Sequence, residues 1–188
     1  MIEGIDDWNN TSILLSDERL CDKNMDSSNY FQFNKYFIEP ISNDLVKPKV
    51  LYIPDNFYLS KGSQKKQSIF SSMIKDYRYS KLCLLGLGSD SHTASLFPNN
   101  NNNINLNDKN CFFTKREDES YHRLTLTYSY LMDAEEIFFL AIGKNKSESI
   151  YNCIHSNYDP LKYPAQFIFK NYSNKISLFA DSKALSLL

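Results

Sequence analysis

Two short apolar runs constrain this chain most. Leu82-Cys83-Leu84-Leu85 ends at Gly86-Leu87-Gly88, and Ile137 to Ile142 ends at Gly143. Runs of four to six apolar residues stopped by glycine read as strands of a buried sheet rather than as helices. Further short strands are predicted at Ser12–Leu15, Val50–Ile53, Cys111–Thr114, Arg123–Thr127 and Ile176–Ala180. Helical patterns lie between them. Ile69, Phe70, Met73, Ile74 and Tyr77 recur at helical spacing and predict one apolar helix face, entered from the polar loop Lys61–Lys66. A second helix is predicted from Lys144 to Ile154, and Asn99 to Asn110 reads as a loop. Strands alternating with helices predict an α/β fold with a mostly parallel sheet.

With 188 residues the chain is expected to be a single domain; no internal repeat or linker divides it. The 21 basic and 22 acidic residues leave a net charge of −1, which offers no footprint for a nucleic-acid backbone. No apolar run approaches the roughly 20 residues of a membrane span, and the acidic start Met1–Trp8 has no signal-peptide core. Cys21, Cys83, Cys111 and Cys153 are dispersed, form no C-x-x-C pair and sit in or beside apolar runs. They read as reduced, structural thiols of a cytoplasmic protein.

Chemistry concentrates in Leu82 to Pro98. There a buried strand runs into a glycine-rich turn carrying Asp90 and His92. In open parallel sheets ligands bind beyond the carboxyl ends of the strands, where this loop is expected to lie. A carboxylate beside an imidazole fixes its tautomer and stabilises its charged form, so His92 is a candidate general base. Gly88-Ser89-Asp90-Ser91 does not make the G-x-S-x-G elbow of a serine hydrolase. The third glycine of the dinucleotide fingerprint is missing. His92, His122 and His155 lack the spacing of a zinc site.

The thirteen residues Gly-Leu-Gly-Ser-Asp-Ser-His-Thr-Ala-Ser-Leu-Phe-Pro, Gly86 to Pro98, resemble the signature G-x-G-x-D-G-H-T-A-S-L-F-P of 6-phosphogluconolactonases. Other segments agree in order. Asp17-Glu18-Arg19 with the later Ser28-Asn29-Tyr30 resembles the D-E-R and S-N-Y elements. Arg123-Leu124-Thr125-Leu126-Thr127 resembles the R-(I/V)-T-L-T strand. Gly143-Lys144-Asn145-Lys146 resembles the G-x-x-K helix start, and Tyr163-Pro164-Ala165 the late L-P-A element. The related glucosamine-6-phosphate deaminases carry G-x-D-G-H-I-A-x-N instead, and Thr93-Ala94-Ser95-Leu96-Phe97 follows the lactonase form.

The resemblance implies a three-layer sandwich with a Rossmann-like sheet. It also implies hydrolysis of 6-phospho-D-glucono-1,5-lactone to 6-phosphogluconate, in the oxidative pentose phosphate pathway. An amino-sugar-phosphate deaminase or isomerase, or an inactive sugar-phosphate-binding remnant, is the alternative. On this resemblance His92 deprotonates water, Asp90 orients it, and Arg19 polarises the lactone or holds the phosphate; Arg19 pairing with Asp17 or Glu18 is the plainer role. Arg123 and Lys146 help to bind phosphate. Asp17, Gly86, Gly88 and Thr93 complete the substrate-binding set, Thr93 and Ser95 either bonding in the pocket or capping a helix. The reaction calls for no cofactor and no metal, and the implied partner is a small sugar phosphate.

Two departures stand out. Ser91 occupies a position where the family has glycine; a positive φ there costs a side chain about 1 kcal/mol, and the hydroxyl is placed to crowd the pocket. The family's opening strand, helix and G-G-S-T phosphate loop have no counterpart in the seven residues before Trp8. The expectation is therefore a domain without its first βα unit, joined by a fused or separate N-terminal segment if it is completed at all.

Overall fold

A computed structural model of the chain describes residues 8–53, 64–105 and 109–188. The strands are β1 (Ser12–Leu14), β2 (Asp17–Arg19), β3 (Lys49–Leu51), β4 (Leu82–Gly86), β5 (Cys111–Lys115), β6 (His122–Leu126), β7 (Glu136–Ala141) and β8 (Ile176–Ala180). The α-helices are α1 (Asn29–Phe33), α2 (Gln64–Ile74), α3 (Asn102–Asn105), α4 (Tyr128–Met132), α5 (Ser147–His155) and α6 (Gln166–Asn171). Residues 61–63 of the predicted polar loop lie outside the described residues.

The two apolar runs pair as expected. β7 lies between β4 and β8, both parallel to it, with Leu85 opposite Phe139 and Phe139 opposite Leu178. β1 and β3 form a separate parallel pair. β2, β6 and β5 make a three-stranded antiparallel sheet in which Arg19 faces Arg123. The fold is thus α/β with mostly parallel pairing, but the R-L-T-L-T strand belongs to the antiparallel part.

Period-2 alternation decides what the central sheet buries. Leu85, Ile137, Phe139 and Ala141 point inward and are buried in the main core with Ile150, Cys153 and Ile168 from α5 and α6. Their neighbours Leu84, Leu140 and Phe179 point the other way and are 57%, 48% and 50% exposed. The buried strand expected at Leu82–Leu85 is therefore corrected: it is covered on one face, not on both. The α2 face is corrected too. Phe70 and Ile74 are buried, whereas Ile69 and Met73 are 45% and 40% exposed, because the helix touches β5 along a stripe narrower than the pattern suggested. Within the asparagine-rich stretch, α3 replaces part of the predicted loop. Its buried Asn103 donates from Nδ2 to the Phe97 carbonyl at 2.8 Å, tying the stretch to the end of the signature segment.

Glu18 anchors β2 to α1. Its buried carboxylate accepts hydrogen bonds from the backbone N–H groups of Arg19, Asn29 and Tyr30 at 2.7–2.8 Å and from the Ser28 hydroxyl at 3.1 Å. Ser28 in turn caps α1 by accepting from the Phe31 N–H at 3.1 Å. Burial pushes the Glu18 carboxyl upward in pKa, against these four donors. The four cysteines are free, and burial raises the thiols of Cys83, Cys111 and Cys153 to about 12, which makes them poor nucleophiles. Among the described residues no helix is long and apolar enough to cross a membrane.

Candidate active site

β4 ends at Gly86, and the chain then folds back on itself. Gly88 N–H donates to the His92 carbonyl at 2.8 Å, and Ser91 N–H to the Gly88 carbonyl at 3.1 Å. The tight turn returns His92 over Gly88. A Cβ on Gly88 would lie 2.1 Å from His92 Nδ1 and 2.6 Å from Asp90 Oδ1. Glycine is required there because the imidazole and carboxylate occupy the space a side chain would take.

Within the turn His92 Nδ1 is 2.5 Å from Asp90 Oδ1, and the same oxygen accepts the His92 backbone N–H at 3.2 Å. Facing an ionised carboxylate, Nδ1 carries the proton and donates it, so that Nε2 is left as an acceptor. Nε2 has no partner among the described residues. Burial alone would raise the Asp90 carboxyl. The hydrogen bond and charge of His92, its backbone N–H and the Arg116 guanidinium outweigh that and hold it at about 2. His92 and Asp90 side chains are 26% and 35% exposed, open enough for a small molecule to reach them.

The remainder of the segment is bound from several sides. The Thr93 hydroxyl donates to the Gly86 carbonyl at 2.9 Å, closing the turn. Ser95 N–H donates to the Thr125 hydroxyl at 3.1 Å, and the Ser95 hydroxyl bonds Asp17. Asp17 also accepts from Asn29 Nδ2 and lies 3.5 Å from Arg123 Nη1. Arg123, only 8% exposed at its side chain, gives Nε and Nη2 to Glu119 at 2.9 Å and 2.6 Å. The Ser91 carbonyl accepts the Ala165 N–H at 2.8 Å. Ser91 has φ of 65°, as expected for a position that favours glycine. Its hydroxyl does not crowd the pocket, because it is buried and accepts from Ser149 of α5 at 3.0 Å.

Asp17, the strand carrying Arg123 and Thr125, and Ala165 thus meet the signature loop, but not every candidate side chain faces the dyad. Asp17, Thr93 and Arg123 are engaged with protein partners. Arg19 pairs with neither Asp17 nor Glu18: Nη1 donates to the Ser27 carbonyl at 2.9 Å, and its buried Nε has no partner among the described residues. Lys146 is half-buried in the 3₁₀ turn Lys144–Lys146 that leads into α5, with no side-chain partner among the described residues. Gly86 is exposed with nothing within 4 Å of a Cβ position, leaving its backbone open.

One residue at the site carried no sequence signal. Arg116, just beyond β5, reaches Asp90 Oδ2 with Nη1 at 3.4 Å. It lines a cavity of about 990 Å³ with Asp90, Phe97, Asn99–Asn102 and His122. Its position in a mixed charge run, Lys115-Arg116-Glu117-Asp118-Glu119, gave no periodicity that could place it 26 residues back along the chain.

The chain is similar to known proteins over most of its length. Residues 3–178 match the family described as glucosamine-6-phosphate isomerases/6-phosphogluconolactonase. The chain is 28% identical over 150 residues to the 6-phosphogluconolactonase of Helicobacter pylori, covering 80% of this chain and 63% of that protein. It is 28% identical over 196 residues to probable 6-phosphogluconolactonase 2 of Oryza sativa subsp. indica, covering 97% of this chain and 69% of the other. The solved 6-phosphogluconolactonase of Thermotoga maritima superposes with a TM-score of 0.74 at 26% identity, over 95% of this chain and 76% of that one. The chain therefore spans less than two thirds of the H. pylori relative.

Proposed function

The chain belongs to the glucosamine-6-phosphate isomerase/6-phosphogluconolactonase family, and from that premise we propose that it hydrolyses 6-phospho-D-glucono-1,5-lactone to 6-phosphogluconate in the oxidative pentose phosphate pathway. The observation that carries the reading is the Asp90–His92 pair at 2.5 Å on a strand-end turn, with Nε2 left open. Water held against Nε2 loses a proton to it as the oxygen adds to C1 of the lactone. The carbonyl electrons move to oxygen, giving a tetrahedral oxyanion. As the oxyanion collapses, the bond from C1 to the ring oxygen breaks, and the imidazolium returns its proton to that oxygen. The product is an open-chain acid. Asp90 stabilises the imidazolium in between without taking its proton.

Two cations suit the anionic parts of the substrate. Arg19 stands at the end of β2, and Lys146 sits in the turn leading into α5. We assign Arg19 to the developing oxyanion or the phosphate, and Lys146 to the phosphate. Gly86 offers open backbone at the strand end. Gly88, Asp17, Thr93 and Arg123 act through the loop, holding the dyad in place rather than touching substrate. The cytoplasm, where the four thiols stay reduced, is the compartment this reading implies.

The test uses purified chain. Lactone hydrolysis is followed by proton release or by coupling to an excess of the next dehydrogenase, beside an assay of ammonia release from glucosamine 6-phosphate. Hydrolysis well above the spontaneous rate with no deamination supports the proposal; the reverse pattern overturns it.

A further inference from the structure

We propose that Arg116 is a positioning residue of this site: by holding the second oxygen of Asp90, it fixes the carboxylate plane that keeps the His92 proton on Nδ1. The inference rests on the reading of His92 as the base. Asp90 Oδ1 is already committed to two N–H groups of His92, the ring Nδ1–H at 2.5 Å and the backbone at 3.2 Å. Oδ2 has one partner among the described residues, Arg116 Nη1 at 3.4 Å. The terminal torsion of an aspartate is broad, so one anchored oxygen does not set the plane of the group, whereas two do.

Arg116 is itself held. Nε and Nη2 donate to the Asp118 carboxylate at 3.0 Å and 3.4 Å, and the guanidinium lies 5.3 Å from the centroid of Phe97. The Phe97 ring is in turn 5.2 Å from the imidazole of His92. Asp118, Arg116, Asp90 and His92 therefore form one chain of contacts resting on Phe97, and the first three of them line the cavity. Of the other charged or titratable groups beside it, Lys115, Glu117 and His122 line the same cavity, Glu119 and Arg123 pair with each other, and Asp17 lies on Arg123. None of these reaches Asp90 in the described structure.

The test compares the parent with Arg116→Gln and Arg116→Lys. Ring ¹⁵N shifts of neutral His92, assigned with His92→Ala, report the tautomer directly. The parent and Arg116→Lys are expected in the Nδ1–H form, and Arg116→Gln as a mixture with the Nε2–H form. In Arg116→Gln kcat is expected to fall on the order of 10- to 100-fold with KM within about twofold, because the change touches the base and not the anion site. Melting temperatures identify any variant that has merely lost structure. An unchanged tautomer in folded Arg116→Gln overturns the inference even if the parent is an active lactonase. A changed tautomer upholds it even if the parent hydrolyses no lactone, an outcome that would count against the proposed reaction alone.

Discussion

The Cα of Gly88 lies beneath the imidazole of His92, so close that a methyl group there would sit 2.1 Å from Nδ1. The glycine-rich turn is therefore the mould of the dyad, and the strand end, the turn and the base form one piece of geometry. The backbone at Gly88 does not adopt a positive φ, so the constraint is the space above it and not its conformation.

Gly88→Ala tests that mould. The backbone tolerates alanine, and the added methyl is relieved by swinging the imidazole off Asp90. Activity is expected to fall by about 10²-fold or more, with a loss of stability of only about 1 kcal/mol. Steady-state kinetics beside thermal melting check both parts. A folded, fully active Gly88→Ala protein would mean that His92 does not act from this position.

Ser91 leads to a different pair of variants. The left-handed backbone costs about 1 kcal/mol with a side chain, but the Ser91–Ser149 hydrogen bond recovers a similar amount, about 0.5–1.5 kcal/mol. Ser91→Gly is expected to change stability by less than about 1 kcal/mol. Ser91→Ala keeps the strain, loses the bond and orphans a buried hydroxyl, so it is expected to cost about 1–2 kcal/mol. Urea denaturation of the three proteins ranks them; a Ser91→Ala protein as stable as the parent would remove the hydrogen bond from the account.

The signature loop, the order of most strands and the free cysteines were legible in the sequence, because period-2 apolar runs, glycine stops and a contiguous motif are local signals. Partners across the fold were not. Ser91 reads as a misfit until Ser149 is seen 58 residues away. Arg123 reads as a free cation until Glu119 and Asp17 are seen to neutralise it. The outward side chains of β4 and β7 are as apolar as the inward ones, so the run Leu82–Leu85 could not reveal which face was covered.

Asp90 predicts a pH dependence. Its carboxyl is held at about 2 in the folded chain, against about 3.9 when unfolded. A depressed acid contributes stability above the unfolded value and loses it as pH falls toward the folded one. The stability difference between the parent and Asp90→Asn is therefore expected to be full above about pH 4 and to shrink toward pH 2. Guanidinium melts across that range measure it, and a difference that does not change with pH would contradict the assignment.

Glu18 holds the first amides of α1. Glu18→Ala leaves three backbone N–H groups and the Ser28 hydroxyl without their acceptor and is expected to cost about 2–4 kcal/mol. Hydrogen exchange should become faster first at Asn29 and Tyr30. Protection unchanged at those two amides would show that another acceptor replaces the carboxylate.

The central claim is that His92 is the base of a lactone hydrolysis. The most direct measurement is the pre-steady-state rate of 6-phospho-D-glucono-1,5-lactone opening by this chain and by His92→Ala, with near-UV circular dichroism recorded on the same samples. The account predicts identical spectra and a rate lower by about 10²- to 10⁴-fold in the variant. A folded His92→Ala protein that opens the lactone as fast as the parent would contradict it.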